Sequence, residues 1–179
     1  MDRLDCIGEE TRWNEAFFLL IRFDAVWISS QQVVLDWTEV GCSQSRTAES
    51  FEQIAHYLQS HLIVAEEETI CDFLSKNCKP YPISPLLTSP EQFVPITNAQ
   101  LSHIFRDDTD AGWDRFRLLF PRSSGCVSFS RIGFNHDITQ ALAYAGKQVD
   151  SLIGHGTYWL LKRSQDKWEE SENTMAWIS

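Results

Sequence analysis

The stretch of sequence that decides the fold runs from Ile138 to Arg163 and reads I-T-Q-A-L-A-Y-A-G-K-Q-V-D-S-L-I-G-H-G-T-Y-W-L-L-K-R. It contains two apolar runs, Ile138–Gly146 and Leu152–Arg163, and neither has the 3.6-residue period of an amphipathic helix. The connection between them, Lys147–Ser151, is short enough for a hairpin. This stretch therefore predicts two long antiparallel strands that pair with each other.

Two similar runs flank the predicted hairpin. Cys126–Phe134 precedes it and Trp168–Ile178 follows it. The connections Asn135–Asp137 and Ser164–Lys167 are again of hairpin length, and consecutive strands usually pair with their neighbours. The C-terminal part of the chain therefore predicts a four-stranded antiparallel meander.

Helical patterns dominate the chain before this meander. The predicted elements are a helix in the first half of Thr11–Ile28, a short strand Gln32–Thr38, a helix that starts at the capping box Ser50-x-x-Gln53, and a helix Ala65–Ser75. The acidic run Glu66–Glu68 falls in the first turn of the last helix, where the helix dipole favours negative charge. We interpret this run as a solvated helix start and not as a metal site.

A proline-rich connection separates these elements from two further short helices. Five of the six prolines lie between residues 78 and 95, which argues against a central strand there. A second capping box, Thr97-x-x-Gln100, and the aromatic segment Gly112–Phe120 predict the two helices. Because helices come first and the meander last, we expect an α+β fold with N-terminal helices packed on a four-stranded antiparallel meander. Residues 1–179 are expected to form a single domain, helical over about 1–121 and a β-meander over about 126–179.

Composition and charge exclude several function classes. The 179 residues are 43% hydrophobic, which excludes a disordered chain, and the formal net charge of -10 repels nucleic acid. No 18-residue stretch lacks charge, so no membrane association is expected. The first ten residues are acidic, unlike the positive start of a secretory signal.

The cysteines and acidic residues show no metal-binding pattern. The five cysteines form no C-x-x-C pair and are interpreted as unpaired, mostly buried thiols in a reducing compartment, which predicts a cytoplasmic protein. The acidic loop Asp107–Asp114 has glycine at the sixth position of a calcium loop but Ala111 at the fifth and Leu118 at the twelfth. We therefore expect a helix-capping loop there, and no metal or cofactor.

Side-chain alternation predicts that both faces of the central hairpin are apolar. Three alanines share one face of the first strand and two larger residues share the other: Ala141, Ala143 and Ala145, against Leu142 and Tyr144. If helices cover the alanine side, Leu142 and Tyr144 form a continuous apolar face with Trp159 and Leu161 of the next strand. Such a face needs cover, which either a second copy in a two-fold homodimer or the N-terminal segment Thr11–Ile28 of the same chain could supply.

Candidate site residues lie on the predicted strands. His155 stands between Gly154 and Gly156, where a ligand could approach the backbone while the imidazole serves as base or donor. The same glycines also suit a bulge or close packing against another element. Ser130 is a candidate nucleophile, Arg131 a candidate anion-binding residue, and Tyr144 and Trp159 are candidate ligand contacts.

The C-terminal sequence resembles a group of uncharacterised bacterial proteins. The residues that carry the resemblance, called the C-terminal motif below, are Ser130–Asn135, Gln140–Gly146, Gly154–Lys162, Trp168 and Trp177–Ser179. The resemblance implies no activity. Helices followed by long antiparallel strands also resemble, in architecture only, the nuclear-transport-factor-like and cystatin-like folds.

No catalytic constellation meets the spacing that known chemistries require, whereas apolar strand faces are plentiful. We therefore predict a soluble, non-catalytic binding or protein-interaction domain that binds an unidentified protein or small molecule. The alternative is a small hydrolase-like enzyme that uses His155 with a strand serine or a carboxylate.

Overall fold

A computed structural model describes residues 31–36, 38, 48–83, 93–107, 109–165 and 167–179. The helix predicted within Thr11–Ile28 lies outside these residues. The described part contains four helices: α1 (Ala48–His61), α2 (Glu67–Asn77), α3 (Asn98–Ile104) and α4 (Thr109–Leu119). Its seven strands are β1 (Gln31–Leu35), β2 (Phe93–Ile96), β3 (Ser123–Phe129), β4 (Gly133–Phe134), β5 (Gln140–Asp150), β6 (Ile153–Ser164) and β7 (Lys167–Ile178).

The α+β class is confirmed, but the prediction of a purely antiparallel four-stranded sheet is wrong. The described strands form one mixed sheet in the order β2-β1-β3-β5-β6-β7, with β4 paired to β5. Strand β1 pairs in parallel with both β2 and β3, while β3, β5, β6 and β7 form the expected antiparallel meander. Pro95 is compatible with β2 because β2 ends the strand order of the described sheet, where a missing N–H disrupts no ladder.

A bulge in the β5–β6 hairpin sets which side chains share a face. At the turn Asp150 pairs with Ile153, but after a register shift between Gln148 and Asp150 the strands pair Tyr144 with Tyr158 and Leu142 with Leu160. The predicted face joining Tyr144 and Leu142 to Trp159 and Leu161 is therefore wrong. Trp159 and Leu161 lie instead opposite Ala143 and Ala141, because a one-residue shift moves a strand's side chains to the other face.

All four described helices cover one face of the sheet, which we call the helix face. Helices α1 and α2 cover its β5–β6 part, where Leu58, Leu62, Ile70 and Phe73 pack on Leu142, Tyr144, Tyr158 and Leu160. Helices α3 and α4 cover its β1 part, where Ile104, Trp113 and Phe116 pack on Val33 and Leu35. Val33 belongs to this face because it pairs with Cys126, which pairs in turn with Gln148 on the Tyr144 side of β5.

The opposite face, which we call the alanine face, contains a second apolar cluster. Its strand residues are Ala141, Ala143 and Ala145 with Val34, Phe93, Val127, Phe129, Phe134, Leu161 and Trp168, and its other members are Ile83 and Ile132. The described helices therefore do not cover the alanine side, so the condition under which the opposite face would lack cover is not met by them. The alanines instead pack in one cluster with large aromatic rings, whose bulk suits small neighbours.

Of the two predicted capping boxes, one is confirmed and the other is wrong. Thr97 accepts a hydrogen bond from the Gln100 N–H while the Gln100 side chain accepts one from the Thr97 N–H, so this capping box is confirmed. Helix α1 begins at Ala48, so Ser50 lies inside the helix and the Ser50-x-x-Gln53 capping box is wrong. Among the described helices, none is long and apolar enough to cross a membrane.

Helix α2 binds the segment between β3 and β5 through side-chain to backbone hydrogen bonds. Asn77 donates to the Arg131 carbonyl at 2.9 Å and accepts from the Arg131 N–H at 2.8 Å. Asp72 accepts from the Phe134 N–H at 2.7 Å. A Cβ added at Gly133 would lie 2.5 Å from Phe73 Cα, so only glycine lets β4 pack against the helix backbone at this distance.

The acidic first turn of α2 also binds this segment. The Glu66 carboxylate accepts from Asn135 Nδ2 at 2.9 Å, and the Glu68 carboxylate accepts from the His136 N–H at 3.1 Å. Gln140 Oε1 accepts from the Glu66 N–H at 2.7 Å. The run Glu66–Glu68 is therefore more than the solvated helix start that the sequence predicted, since two of its carboxylates fix the β4–β5 turn.

Candidate functional site

His155 lies exposed on β6, and its two glycine neighbours make room for an indole ring and not for a ligand. A Cβ at Gly156 would lie 2.7 Å from Trp177 Cδ1, and one at Gly154 would lie 3.0 Å from Trp177 Cη2. Because strand side chains alternate, Trp177 occupies the face opposite His155. The packing interpretation of these glycines therefore accounts for their positions.

Trp177 connects these glycines to Tyr144. The indole Nε1–H donates to the Tyr144 hydroxyl at 2.7 Å, and Tyr144 is 1% exposed beneath α1 and α2. A Cβ at Gly146 would lie 2.5 Å from the same hydroxyl. Tyr144, a candidate ligand contact by sequence, is thus enclosed by its own chain on the helix face.

Ser130 and Arg131 both make contacts within their own chain. The Ser130 hydroxyl accepts from the Tyr144 N–H at 2.8 Å, and the Ser130 N–H donates to the Tyr144 carbonyl at 3.0 Å, which extends the β3–β5 ladder past Phe129. Ser130 is 2% exposed. The Arg131 guanidinium lies 4.7 Å from the centre of the Tyr81 ring, a cation–π contact.

The structure does not bring His155 and Ser130 together. Ser130 binds at the level of Tyr144 on one side of β5, whereas His155 pairs with Lys147 on the other side. Two strand spacings and three residues of rise separate their backbones by roughly 14 Å. Within the described residues, the His155 imidazole makes no hydrogen bond or ion pair. This geometry gives no support to the hydrolase alternative.

Trp159 lies half-buried on the alanine face, packed against the cluster that contains Ala143 and Leu161.

Asp107, in the loop with partial calcium spacing, binds the guanidinium groups of Arg106 and Arg115 at 3.1 and 3.0 Å. Over the described part of the chain, no group of three or more His, Cys, Asp or Glu side chains could hold a metal ion.

The cysteines within the described residues differ in part from the prediction. Cys71, Cys78 and Cys126 are in no disulfide within the described residues, as expected. Cys71 and Cys78 are exposed, however, so the prediction of mostly buried thiols is wrong for these two. Cys71 lies on a turn of α2 between the buried residues Ile70 and Phe73, which face the sheet.

The described surface contains a cluster of exposed apolar residues that the sequence did not predict. Ten large hydrophobic residues are exposed in the described part of the chain, and six of them lie at one end of the sheet. We call these six the apolar pole: Leu118 (82% exposed), Leu119 (62%), Val149 (36%), Leu152 (79%), Ile153 (59%) and Ile178 (72%). Large apolar side chains that are exposed at one end of a domain are candidates for an interaction surface.

Three contacts bring the elements of the apolar pole together. Arg117, at the end of α4, binds the carboxylate of Asp150 at the end of β5. The Gly154 and Ser179 peptide groups exchange two backbone hydrogen bonds, and His155 pairs with Ile178. The end of α4, the β5–β6 turn and the end of β7 therefore meet at one surface.

Asp150 and Arg117 form an ion pair at the edge of the apolar pole. The Ser151 N–H donates to the Asp150 carboxylate at 2.7 Å and, together with the nearby Arg117 guanidinium, lowers the pKa of Asp150 below its ordinary value. The sequence does contain a signal for the pole, because the hairpin turn Val149–Ile153 includes three large aliphatic residues where turns are usually polar.

Comparison with known proteins does not assign a function to this site. No family model matches the chain, and neither a curated protein nor a solved structure resembles it significantly. The resemblance of the C-terminal motif to uncharacterised bacterial proteins therefore stays a prediction.

Proposed function

We propose that this protein is a non-catalytic protein-interaction domain and that the apolar pole is its binding surface. The observation that carries the proposal is the concentration of six exposed aliphatic residues at one end of the sheet. Single exposed apolar side chains are common on soluble proteins, whereas several of them at one end of a domain favour a binding surface.

The apolar pole is suitable for binding because the strands that carry part of it are long and almost fully paired. Leu152 and Ile153 lie on the turn between two strands of 11 and 12 residues, which pair along nearly their whole length. Ion pairing of Asp150 with Arg117 connects this turn to α4. A surface fixed in this way loses little conformational entropy on binding.

Charge and cysteine chemistry support the partner class and location that we propose. A net charge of -10 disfavours nucleic acid as the partner and favours a protein. Cys71 and Cys78 are exposed free thiols, which persist in a reducing compartment, so we propose a cytoplasmic location.

Site-specific photo-crosslinking in the cells that naturally make the protein tests this function. A photoreactive amino acid at position 155, beside the pole, is expected to give a crosslinked product with a defined protein. The same amino acid at Ser171, on the exposed part of β7 far from the pole, is expected to give none.

The substitution Leu152→Asp should abolish the product, because a charge then has to be buried in an apolar interface. The matched control is Ile63→Asp, which places the same charge at an aliphatic residue that is 85% exposed but lies on the α1–α2 turn. Loss of the product in Leu152→Asp but not in Ile63→Asp supports the proposal. Equal crosslinking from positions 155 and 171, or none from 155, would refute it.

A further inference from the structure

We infer that the two end strands of the described sheet are closed to strand addition, so this domain binds neither extended peptides nor other copies of itself by enlarging its sheet. These strands are β7 and β2, which stand at the two ends of the strand order. A free sheet edge offers unpaired N–H and C=O groups, and folded proteins commonly protect such edges against pairing with another chain. The inference concerns these backbone edges and does not depend on the apolar pole.

Two bulges interrupt β7. Ala176 and Ser171 are each an extra residue, because at these two points neighbouring residues of β6 pair with β7 residues that are not neighbours. The bulges divide β7 into Lys167–Glu170, Glu172–Met175 and the short end Trp177–Ile178. Each bulge disrupts the regular ladder and increases the local twist. None of the regular segments exceeds four residues, whereas strands in sheets are usually about 5–6 residues long.

Side chains protect the two longer segments of β7 further. Glu169 and Glu170 are exposed in the first segment, and charged side chains disfavour pairing of an edge with another strand. In the second segment, the Tyr57 hydroxyl on α1 donates to the Met175 carbonyl and lies 2.9 Å from Thr174 Oγ1. Helix α1 therefore already occupies a backbone acceptor of this segment.

The opposite end of the strand order is protected by its length and by a proline. Strand β2 has only four residues, Phe93–Ile96. Pro95 pairs with Val34 of β1 within this short stretch and has no N–H to offer another strand. Both end strands therefore lack a long, uninterrupted row of backbone donors and acceptors, although they lack it for different reasons.

Amide hydrogen exchange of the full chain, followed by NMR, tests this inference. The probe is a synthetic peptide that copies residues 153–164, because this β6 sequence already pairs with β7 within the fold. Addition of the peptide to about 1 mM should change the exchange rates of the amides in Lys167–Met175 and in β2 by less than about 2-fold. Ile178 is not among these reporters, so binding at the apolar pole does not affect the result.

A chain that lacks Ser171 and Ala176 opens the edge of β7. Its remaining ten β7 residues can keep their Cα partners on β6, so each side chain stays on its present face while the edge becomes regular. When Glu169→Thr and Glu170→Thr are added, the peptide should slow exchange in this strand at least about 10-fold. The matched control keeps both bulges and carries Glu52→Thr and Glu67→Thr, at exposed glutamates of α1 and α2, and should behave like the wild type.

Slower exchange of the wild-type amides of β7 or β2 in the presence of the peptide would overturn the inference. So would an opened chain that keeps the wild-type fold, judged from its amide spectrum, and still shows no slowing, because the bulges and glutamates would then not be what closes β7. The wild-type measurement decides the inference even if the deletions prevent folding. Either contrary result leaves the proposed function in place, since that function is tested at position 155 and at Leu152.

Discussion

The two ends of the β5–β6 hairpin are built from similar residues but have opposite surroundings. Toward the open end of the hairpin, Leu142 and Leu160 face each other and are fully buried beneath α1 and α2. At the turn, Leu152 and Ile153 are aliphatic as well, yet both are largely exposed. The same two strands therefore contribute a core at one level and an uncovered apolar surface at the other.

This difference shows where evidence for function lies in the molecule. Ser130 and Tyr144 are explained by the strand ladder and by packing around Trp177, which also accounts for the two glycines beside His155. The residues that suggest binding are plain aliphatic side chains that belong to no motif. Residues of the C-terminal motif make the contacts that join the sheet to α2. The hypothesis about function comes from the apolar pole.

The largest effect is expected where β4 packs against α2. Gly133→Ala places a Cβ 2.5 Å from Phe73 Cα, so helix and strand must separate along their shared core. We expect a loss of about 3 kcal/mol or more in the free energy of unfolding, measured by urea denaturation. Gly154→Ala is the control, because its nearest neighbours lie at 3.0 Å and the cost should stay near about 1 kcal/mol. Equal losses would show that α2 and β4 are not in close contact.

A somewhat smaller effect is expected from the side chain that links α2 to the end of β3. Asn77→Ala removes the group that binds both the N–H and the carbonyl of Arg131 within the covered part of the sheet. The expected cost is about 2 kcal/mol. Ser75→Ala removes only an exposed hydrogen bond to the Asp72 carbonyl, so its cost should be less than about 0.5 kcal/mol. A negligible cost for Asn77→Ala would mean that water replaces the amide there.

The meander was predictable from sequence because its signals are local. Apolar runs and short connections place β5, β6 and β7 within a few residues of their observed bounds, and the Thr97–Gln100 capping box starts α3 as predicted. Register was not predictable. The turn pairing of Asp150 with Ile153, extended without a bulge, would have placed Tyr144 opposite Trp159, and a single extra residue reversed that assignment.

The sequence predicted β1 but missed β2, the parallel pairing of β1 and the apolar pole, for a different physical reason. Pairing of β1 with β2 and β3 joins segments far apart in sequence, and no local period records it. Pro95 also argued against a strand, because a proline is compatible only with the end of a sheet and sequence does not show where that end lies. The pole forms only when the turn of one hairpin meets the end of α4, so its residues are scattered along the chain.

The helix face also predicts how stability depends on pH. Burial, and then the neighbouring Tyr144 and Tyr57, raise the pKa of Tyr158 above its ordinary value of 10.0. Above pH 10 the unfolded chain therefore loses this proton before the folded chain does, and the free energy of unfolding falls as pH rises. The contribution of Tyr158 approaches about 1.4 kcal/mol per pH unit. Below pH 10 both states keep the proton, and this contribution is constant.

Urea denaturation at about pH 9, 10 and 11 measures this slope. Tyr158→Phe should give a flatter dependence than the wild-type chain, because it removes the buried hydroxyl whose pKa is raised. If Tyr158→Phe and the wild type fall in parallel, the hydroxyl ionises as readily in the folded chain as in the unfolded one. The buried arrangement of Tyr158 beneath α1 would then be incorrect.

The smallest effect is expected at the apolar pole of the monomer. Leu152 is 79% exposed, so Leu152→Asp removes little buried apolar area and should change the free energy of unfolding by less than about 0.5 kcal/mol. The measurement is urea denaturation at a protein concentration where the wild-type chain sediments as a monomer, with Ile63→Asp as the matched control. A loss of several kcal/mol for Leu152→Asp in the dilute monomer would mean that the turn is buried within its own chain, and the contrast between the two ends of the hairpin would disappear.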